Sequence, residues 1–239
     1  MRTYLITGTR SGIGLEYVRQ LSTSPDTTVV AVVRDVTADL TDLKSIISSP
    51  DTRAQIQLVE GNLTSPESIT SLPSQLPQGL KIDVLIQNAG ILLPSARSET
   101  ASTVAIDSLN THFSTNVIGP ALVFQALVPH LAPGAVVANI TSGLGSLTWN
   151  VEGVIPPGNP AYSISKTALN MLTVHQAAEL KGKAIVVCID PGWVKTQMGG
   201  PGAMVETADC ARNVLRTLSM LKDEDTGKLM SNDGAPEPW

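Results

Sequence analysis

Short apolar runs alternate with longer stretches of helical spacing along the whole chain. Runs at 4–6, 28–33, 56–59, 84–86, 135–140 and 184–189, with a shorter one at 228–230, are mostly bounded by Gly, Asp, Asn or Pro, as strands ending in loops are. Between them, 13–21, 38–47, 66–76, 103–131, 159–180 and 205–221 read as helices. Leu40, Leu43, Ile46 and Ile47 mark the apolar face of the second. Pro73 interrupts the third, and Pro120 should kink or split the fourth, because proline has no N–H to give the preceding turn. This alternation predicts an α/β fold, a doubly wound parallel sheet of about seven strands with helices on both faces. No linker, repeat or low-complexity segment divides the chain, so residues 1–239 are expected to form one domain. Loops 143–160 and 193–206 would be inserted in it.

Composition sharpens this picture. Aromatics are only 3%, so the core must be built from Val, Ile, Leu and Ala, as buried parallel sheets are. A net charge of −5 argues against nucleic acid as a partner, since phosphate backbones demand clustered Lys and Arg. No apolar stretch approaches the roughly 18 residues that span a bilayer. The strand-like start at Tyr4 leaves no room for a signal peptide, and a cytoplasmic protein is expected. Cys188 and Cys210 lack metal-ligand spacing and read as free thiols, a disulfide being the lesser alternative. Without a secretion signal, the glycosylation-like triplets at Asn62 and Asn139 read as chance matches. His112, His130 and His175 have no partners at ligand spacing, so no metal site is expected.

Thr7-Gly8-Thr9-Arg10-Ser11-Gly12-Ile13-Gly14 follows the first strand and opens the first helix. Glycines there let the backbone turn tightly and approach a pyrophosphate, whose charge the helix N-terminus favours. The spacing is Gly-x3-Gly-x-Gly rather than Gly-x-Gly-x2-Gly, and such glycines can be purely structural. Their position at the head of an alternating chain favours a nucleotide cofactor and a Rossmann-type sheet. The second strand ends in Val33-Arg34-Asp35. A carboxylate at the strand end would bind a ribose 2′-hydroxyl, whereas an arginine receives a 2′-phosphate. Arg34, with Arg10 and Ser11 in the turn, therefore predicts NADP(H); the alternative pairs Arg34 with Asp35 or another surface carboxylate.

Tyr162 and Lys166 lie four apart in Pro160-Ala-Tyr-Ser-Ile-Ser-Lys-Thr-Ala-Leu169 and share a helix face. An ammonium beside a phenol would pull its pKa of about 10 toward neutrality, making Tyr162 a usable proton donor and acceptor. A plain surface pair has the same spacing.

Several motifs then stand in a fixed order: Gly8/Gly12/Gly14, Asn88-Ala89-Gly90, Asn116, Ser142, Tyr162 and Lys166, and Pro191-Gly192. With them the chain resembles the short-chain dehydrogenase/reductase family over nearly its whole length. Segments 190–200 and 232–239 are similar to sniffer-type and C-factor-like members. The resemblance implies that Tyr162 protonates a carbonyl oxygen as hydride arrives. Lys166 would lower the tyrosine pKa and hold the nicotinamide ribose, Ser142 would bond the same carbonyl, and Asn116 would hold a relay water. The bland alternatives are a turn cap for Ser142 and a local backbone bond for Asn116. The resemblance also implies cofactor contacts at Ile13, Leu63, Asn88, Ala89, Gly90, Pro191, Gly192, Val194 and Thr196. Asn62 stands where the family often has an aspartate on the adenine.

Doubly wound folds bind ligands at the carboxyl ends of their strands. The substrate walls are therefore expected at Leu144, Leu147 and Trp149 with the loop up to Pro160, and at Trp193 and Met198 to Met204, the latter as a lid. Packing of Trp149 and Trp193 against loops or a subunit interface is the alternative. Apolar walls point to a hydrophobic or aromatic ketone or aldehyde, hence an NADPH-dependent carbonyl reductase. Oxidation of an alcohol by the same site and a non-catalytic NADP-binding regulator stay open. A sugar-nucleotide epimerase is disfavoured by the short segment after Pro191-Gly192. The resemblance further implies a homodimer or homotetramer through helices 103–131 and 159–180.

Overall fold

The structure is a computed structural model that describes residues 1–156 and 158–239; position 157, in the expected substrate loop, lies outside the described residues. Among the described residues seven strands form one sheet: β1 (Arg2–Thr7), β2 (Thr27–Val33), β3 (Gln55–Glu60), β4 (Ile82–Gln87), β5 (Leu131–Ile140), β6 (Ala184–Asp190) and β7 (Leu229–Ser231). Every neighbouring pair is parallel, in the order β3-β2-β1-β4-β5-β6-β7. The helices are α1 (Gly12–Ser22), α2 (Thr41–Ile47), α3 (Pro66–Ser71), α4 (Ile106–Phe113), α5 (Gly119–Leu127), α6 (Leu147–Val151), α7 (Pro160–Glu179) and α8 (Thr207–Met220).

The two-residue alternation of strand side chains divides the core. Tyr4, Ile6, Val29 and Ala31 pack with Tyr17, Val18 and Leu21 of α1, Leu43 of α2 and Val214 of α8. Leu5, Val30, Val32 and Leu85 face the other way, onto Ile69 of α3, Val123, Phe124 and Leu127 of α5 and Ala177 of α7. Both faces are covered, which is why β2 is buried at all seven positions and reads as an unbroken apolar run. The strand order reverses beside β1, so a crevice opens at the carboxyl ends of β1 and β4.

Several element boundaries differ from expectation. The stretch 103–131 is split: α4 ends at Phe113, a π-helical turn covers Ser114–Ile118, and Pro120 sits in the first turn of α5. Here the Gly119 N–H bonds the Ser114 carbonyl five residues back, a wider ring just before the proline that cannot donate. Likewise 66–76 ends as a helix at Ser71 and continues as a 3-10 turn, Leu72–Gln75, with Pro73 in it. Residues 38–40 do not join α2. The expected loop 143–160 holds two elements that periodicity missed, a 3-10 turn (Gly143–Gly145) and α6, each too short to show a period. Ser146 caps α6 by accepting the Trp149 N–H. Among the described residues no helix is long and apolar enough to cross a membrane.

Candidate active site

β1 delivers the chain to a turn that only small residues can make. Gly8 has φ +74°, and a Cβ there would stand 2.8 Å from the Ala89 Cα at the end of β4. Gly14 admits no side chain, since its Cβ would fall 2.3 Å from the Gly8 carbonyl oxygen. Asn88 braces the same turn by donating from Nδ2 to the Thr7 carbonyl at 3.0 Å. The Ala89 N–H donates to the Thr7 hydroxyl at 3.0 Å. Ser11 stands at the N-cap of α1 with no side-chain cap bond, leaving its hydroxyl and the helix N-terminus for an anion.

A cleft of about 690 Å³ runs from this turn to α7. Of the expected cofactor residues, Gly8, Arg10, Ser11, Gly12, Ile13, Arg34, Asn62, Leu63, Asn88, Ala89, Gly90, Tyr162, Lys166, Pro191 and Thr196 line it. Gly14 lies beneath the turn, while Gly192 and the buried Val194 do not line the cleft. At the outer end Arg10 and Arg34 are exposed and, among the described residues, make no ion pair. The Asp35 carboxylate is taken by Thr37, through its N–H at 2.7 Å and its hydroxyl at 2.6 Å, so the Arg34–Asp35 pairing is not formed. Asn62 closes its own turn by accepting the Thr64 N–H and hydroxyl, leaving its amide N–H groups available. A tight glycine cradle at one end and two unpaired guanidinium groups at the β2 end fit a dinucleotide carrying a 2′-phosphate.

At the inner end α7 presents Tyr162 and Lys166, both buried. Ser142, just after β5, works against the rise of the Tyr162 phenol pKa, and its hydroxyl accepts the Leu144 N–H at 3.2 Å. The Lys166 ammonium donates to the Ile140 carbonyl at 2.8 Å and lies 5.6 Å from the centre of the Tyr162 ring. Asn116, in the π-helical turn, accepts the Ile91 N–H at 2.8 Å and donates to the Ile91 carbonyl and the Ser165 hydroxyl, each at 3.0 Å. Both of its amide N–H groups are thereby taken, and its Oδ1 keeps one acceptor site.

The electrostatics correct one expectation. Burial holds the Tyr162 phenol well above its ordinary pKa, and the negative Asp190 adds to this. The groups that oppose the rise are Ser142 and Arg97, not Lys166. Burial in turn lowers Lys166 to about 8. Burial of the phenol therefore keeps it protonated instead of pulling it toward neutrality.

A family model for short chain dehydrogenases matches residues 2–203. The chain belongs to this family. C-signal of Myxococcus xanthus is 37% identical over 161 residues, spanning 66% of this chain and 93% of C-signal. Among solved structures, an NADPH-bound carbonyl reductase from chicken fatty liver superposes with a TM-score of 0.87 at 30% identity, covering 100% of this chain and 94% of the other. The carbonyl reductase Sniffer of Drosophila melanogaster gives 0.85 at 26% identity, with both chains covered completely.

Of the expected substrate residues among those described, this short-chain dehydrogenase brings Met198 alone to the cleft. Trp149 instead packs over Gly143, where a Cβ would meet its ring at 2.9 Å, and Leu144 follows in the same turn. Trp193 staples its own loop, donating from Nε1 to the Gly199 carbonyl at 2.8 Å while its carbonyl accepts the Met204 and Val205 N–H groups. Neither indole lines the cleft. Sequence reasoning missed Arg97, which donates to the Met198 carbonyl and links the loop after β4 to the 193–204 loop. It also missed Asp190, whose carboxylate accepts the Gly192 N–H at 2.9 Å and lies within electrostatic reach of Tyr162 and Lys166. The only signal for Asp190 was its position immediately before Pro191-Gly192. Cys188 and Cys210 are free and buried, each thiol pushed up to about 12 by burial. Among the described residues no cluster of His, Cys, Asp or Glu could hold a metal ion.

Proposed function

We propose that this short-chain dehydrogenase is an NADPH-dependent reductase of ketones or aldehydes carrying a hydrophobic or aromatic group, with Tyr162 as general acid. The observation that carries this reading is that Tyr162 and Lys166, one turn apart on α7, both line the inner end of the cleft, with Ser142 near enough to the phenol to act on its pKa.

NADPH held in the cleft supplies the hydride. Arg10, Ser11 and Arg34 receive its 2′-phosphate, the Gly8–Gly14 turn receives the pyrophosphate, and Asn62 and Leu63 face the adenine. Thr196 stands across from Gly12, its Cγ2 being 3.4 Å from where a Gly12 Cβ would be, and meets the nicotinamide end with Val194 behind it. Lys166 keeps one N–H on Ile140 and turns its remaining donors toward the nicotinamide ribose. Ser142 donates to the substrate carbonyl oxygen, where negative charge develops. Tyr162 delivers its proton to the same oxygen, and the Asn116 backbone with Lys166 returns a proton from solvent. A raised phenol pKa favours reduction, because the acid form is the one present near neutral pH.

The carbonyl reductases among the structural relatives support this direction, and the NADPH named for the avian enzyme supports the cofactor. Two free buried thiols support a cytoplasmic location. Exposed Ile164, Met171 and Val174 on α7 support pairing of two copies of the chain. Purified protein with NADPH, screened by absorbance against ketones, aldehydes and quinones, tests the reading. Turnover of apolar members is the expected result, and NADPH binding without turnover of any compound favours the regulatory alternative.

A further inference from the structure

We infer that Asn170 is a positioning residue for the reacting pair: one buried amide on α7 clamps both ends of the 141–145 turn that carries Ser142. This rests on the reading of Ser142 and Tyr162 as the groups that act on the carbonyl.

Tyr162, Lys166 and Asn170 follow one another at four-residue spacing on one face of α7, and all three are buried. The first two line the cleft, whereas Asn170 lies one turn further along the helix and does not. Its Oδ1 accepts the Thr141 hydroxyl at 2.6 Å. Its Nδ2 donates to the Gly145 carbonyl at 3.2 Å. The amide can be placed only one way round, since reversing it would set Oδ1 against the Gly145 carbonyl oxygen, acceptor against acceptor. Thr141 is also tied to β6, its N–H bonding the Ile189 carbonyl at 2.8 Å. Gly145 rests directly on the α7 backbone, where a Cβ would fall 2.9 Å from the Lys166 carbonyl carbon. A single side chain thus joins the residue before Ser142 to the end of its turn and references both to the helix bearing Tyr162.

The hydroxyl of Ser142 needs such a reference. Its backbone is extended, with φ −166° and ψ 147°, and its oxygen accepts the Leu144 N–H from inside the same turn. Where the hydroxyl points therefore follows from where the turn sits. Displacing a reacting group by about 1 Å can cost on the order of a hundredfold in rate, so a loosened turn should appear in kcat. Asn170 touches neither the cleft nor the phenol, and its effect must pass through Ser142.

Asn170→Asp keeps the shape and the acceptor for Thr141 but loses the donor to Gly145; Asn170→Leu loses both without adding charge. For each, kcat should fall about tenfold or more while the NADPH Kd stays within about twofold. On a Ser142→Ala background the same substitutions should lower kcat by less than about twofold, because the group they position is gone. Amide exchange of residues 142–146 should accelerate about tenfold or more with β1 unchanged, a readout that needs no substrate. If an Asn170 variant does not fold, Thr141→Val opens the same clamp from its other end. A wild-type kcat, losses that multiply in the Ser142→Ala background, or unchanged exchange at 142–146 would overturn the inference. A wild type that reduces no carbonyl overturns the reductase reading instead, and the exchange result still decides the clamp.

Discussion

The Lys166 ammonium donates to the Ile140 carbonyl at the end of β5, 2.8 Å away, and this bond fixes where its charge lies. Buried there, it has a pKa lowered to about 8. The Tyr162 phenol stays protonated well past that point. In NADPH-dependent reduction kcat/KM should therefore be level from about pH 6 to 7 and fall above about 8, as Lys166 loses its proton. A pH–rate profile checks this. A profile that stays level through pH 8 and falls only above about 10 would mean that the phenol, not the ammonium, controls the rate.

Arg10 and Arg34 should decide between the two nicotinamide cofactors. A charge-assisted hydrogen bond is worth about 1.5–3 kcal/mol, so Arg34→Ala should weaken NADPH by about 10- to 100-fold. Binding of NADH should change little. Arg10→Ala should act the same way and less strongly, since its group lies in the turn and not at the strand end. Steady-state KM values for both cofactors measure the effect; equal losses for NADH and NADPH would show that neither guanidinium meets the 2′-phosphate.

Gly14→Ala places a methyl 2.3 Å from the Gly8 carbonyl oxygen, which the turn can accommodate only by opening. Overpacking of this kind costs about 1–3 kcal/mol. Fluorescence titration should show NADPH affinity reduced about tenfold or more, and thermal melts should show a lower Tm, because the same contact seats α1 on the sheet. An unchanged Kd would mean that the pyrophosphate does not lie on this turn.

Glu237 in the C-terminal segment has a buried Oε2 without a hydrogen-bond partner, and burial with Asp190 and Asp233 nearby raises its pKa to about 8. A folded-state value above the unfolded one means that the folded protein binds the extra proton, so stability contributed by this group falls as pH rises from about 4.5 to 8. Glu237→Gln should melt at a higher temperature than the wild type at pH 8.5 or so, with the difference shrinking toward about pH 4.5. A constant difference across that window would remove Glu237 as its source.

The sheet was legible because its strands are short apolar runs cut by turn residues, and a doubly wound sheet buries both faces of each. What escaped was decided by single local contacts. α6 exists because the Ser146 hydroxyl accepts one N–H, and no periodicity announces a five-residue helix. Pro120 announced a break, but the π-helical form of it depends on how Ser114 and Gly119 pair. That the glycine turn, Arg34 and the Tyr162–Lys166 pair would meet along one cleft could be read from the sequence, because each has a fixed spacing from a strand end or along a helix. Trp149 and Trp193 were placed by hydrophobicity alone, which cannot tell a pocket wall from a loop staple. Asp190 and Asn170 matter through where β6 and α7 bring them, and one-dimensional spacing does not carry that.

In the proposed function Tyr162 gives its proton to a substrate carbonyl. The most direct test of this step is kcat for NADPH-dependent carbonyl reduction in Tyr162→Phe beside the wild type, with NADPH binding measured in both. Removing the acid should lower kcat by about 10²–10⁴-fold while NADPH still binds. A Tyr162→Phe enzyme that turns over at the wild-type rate would contradict the account.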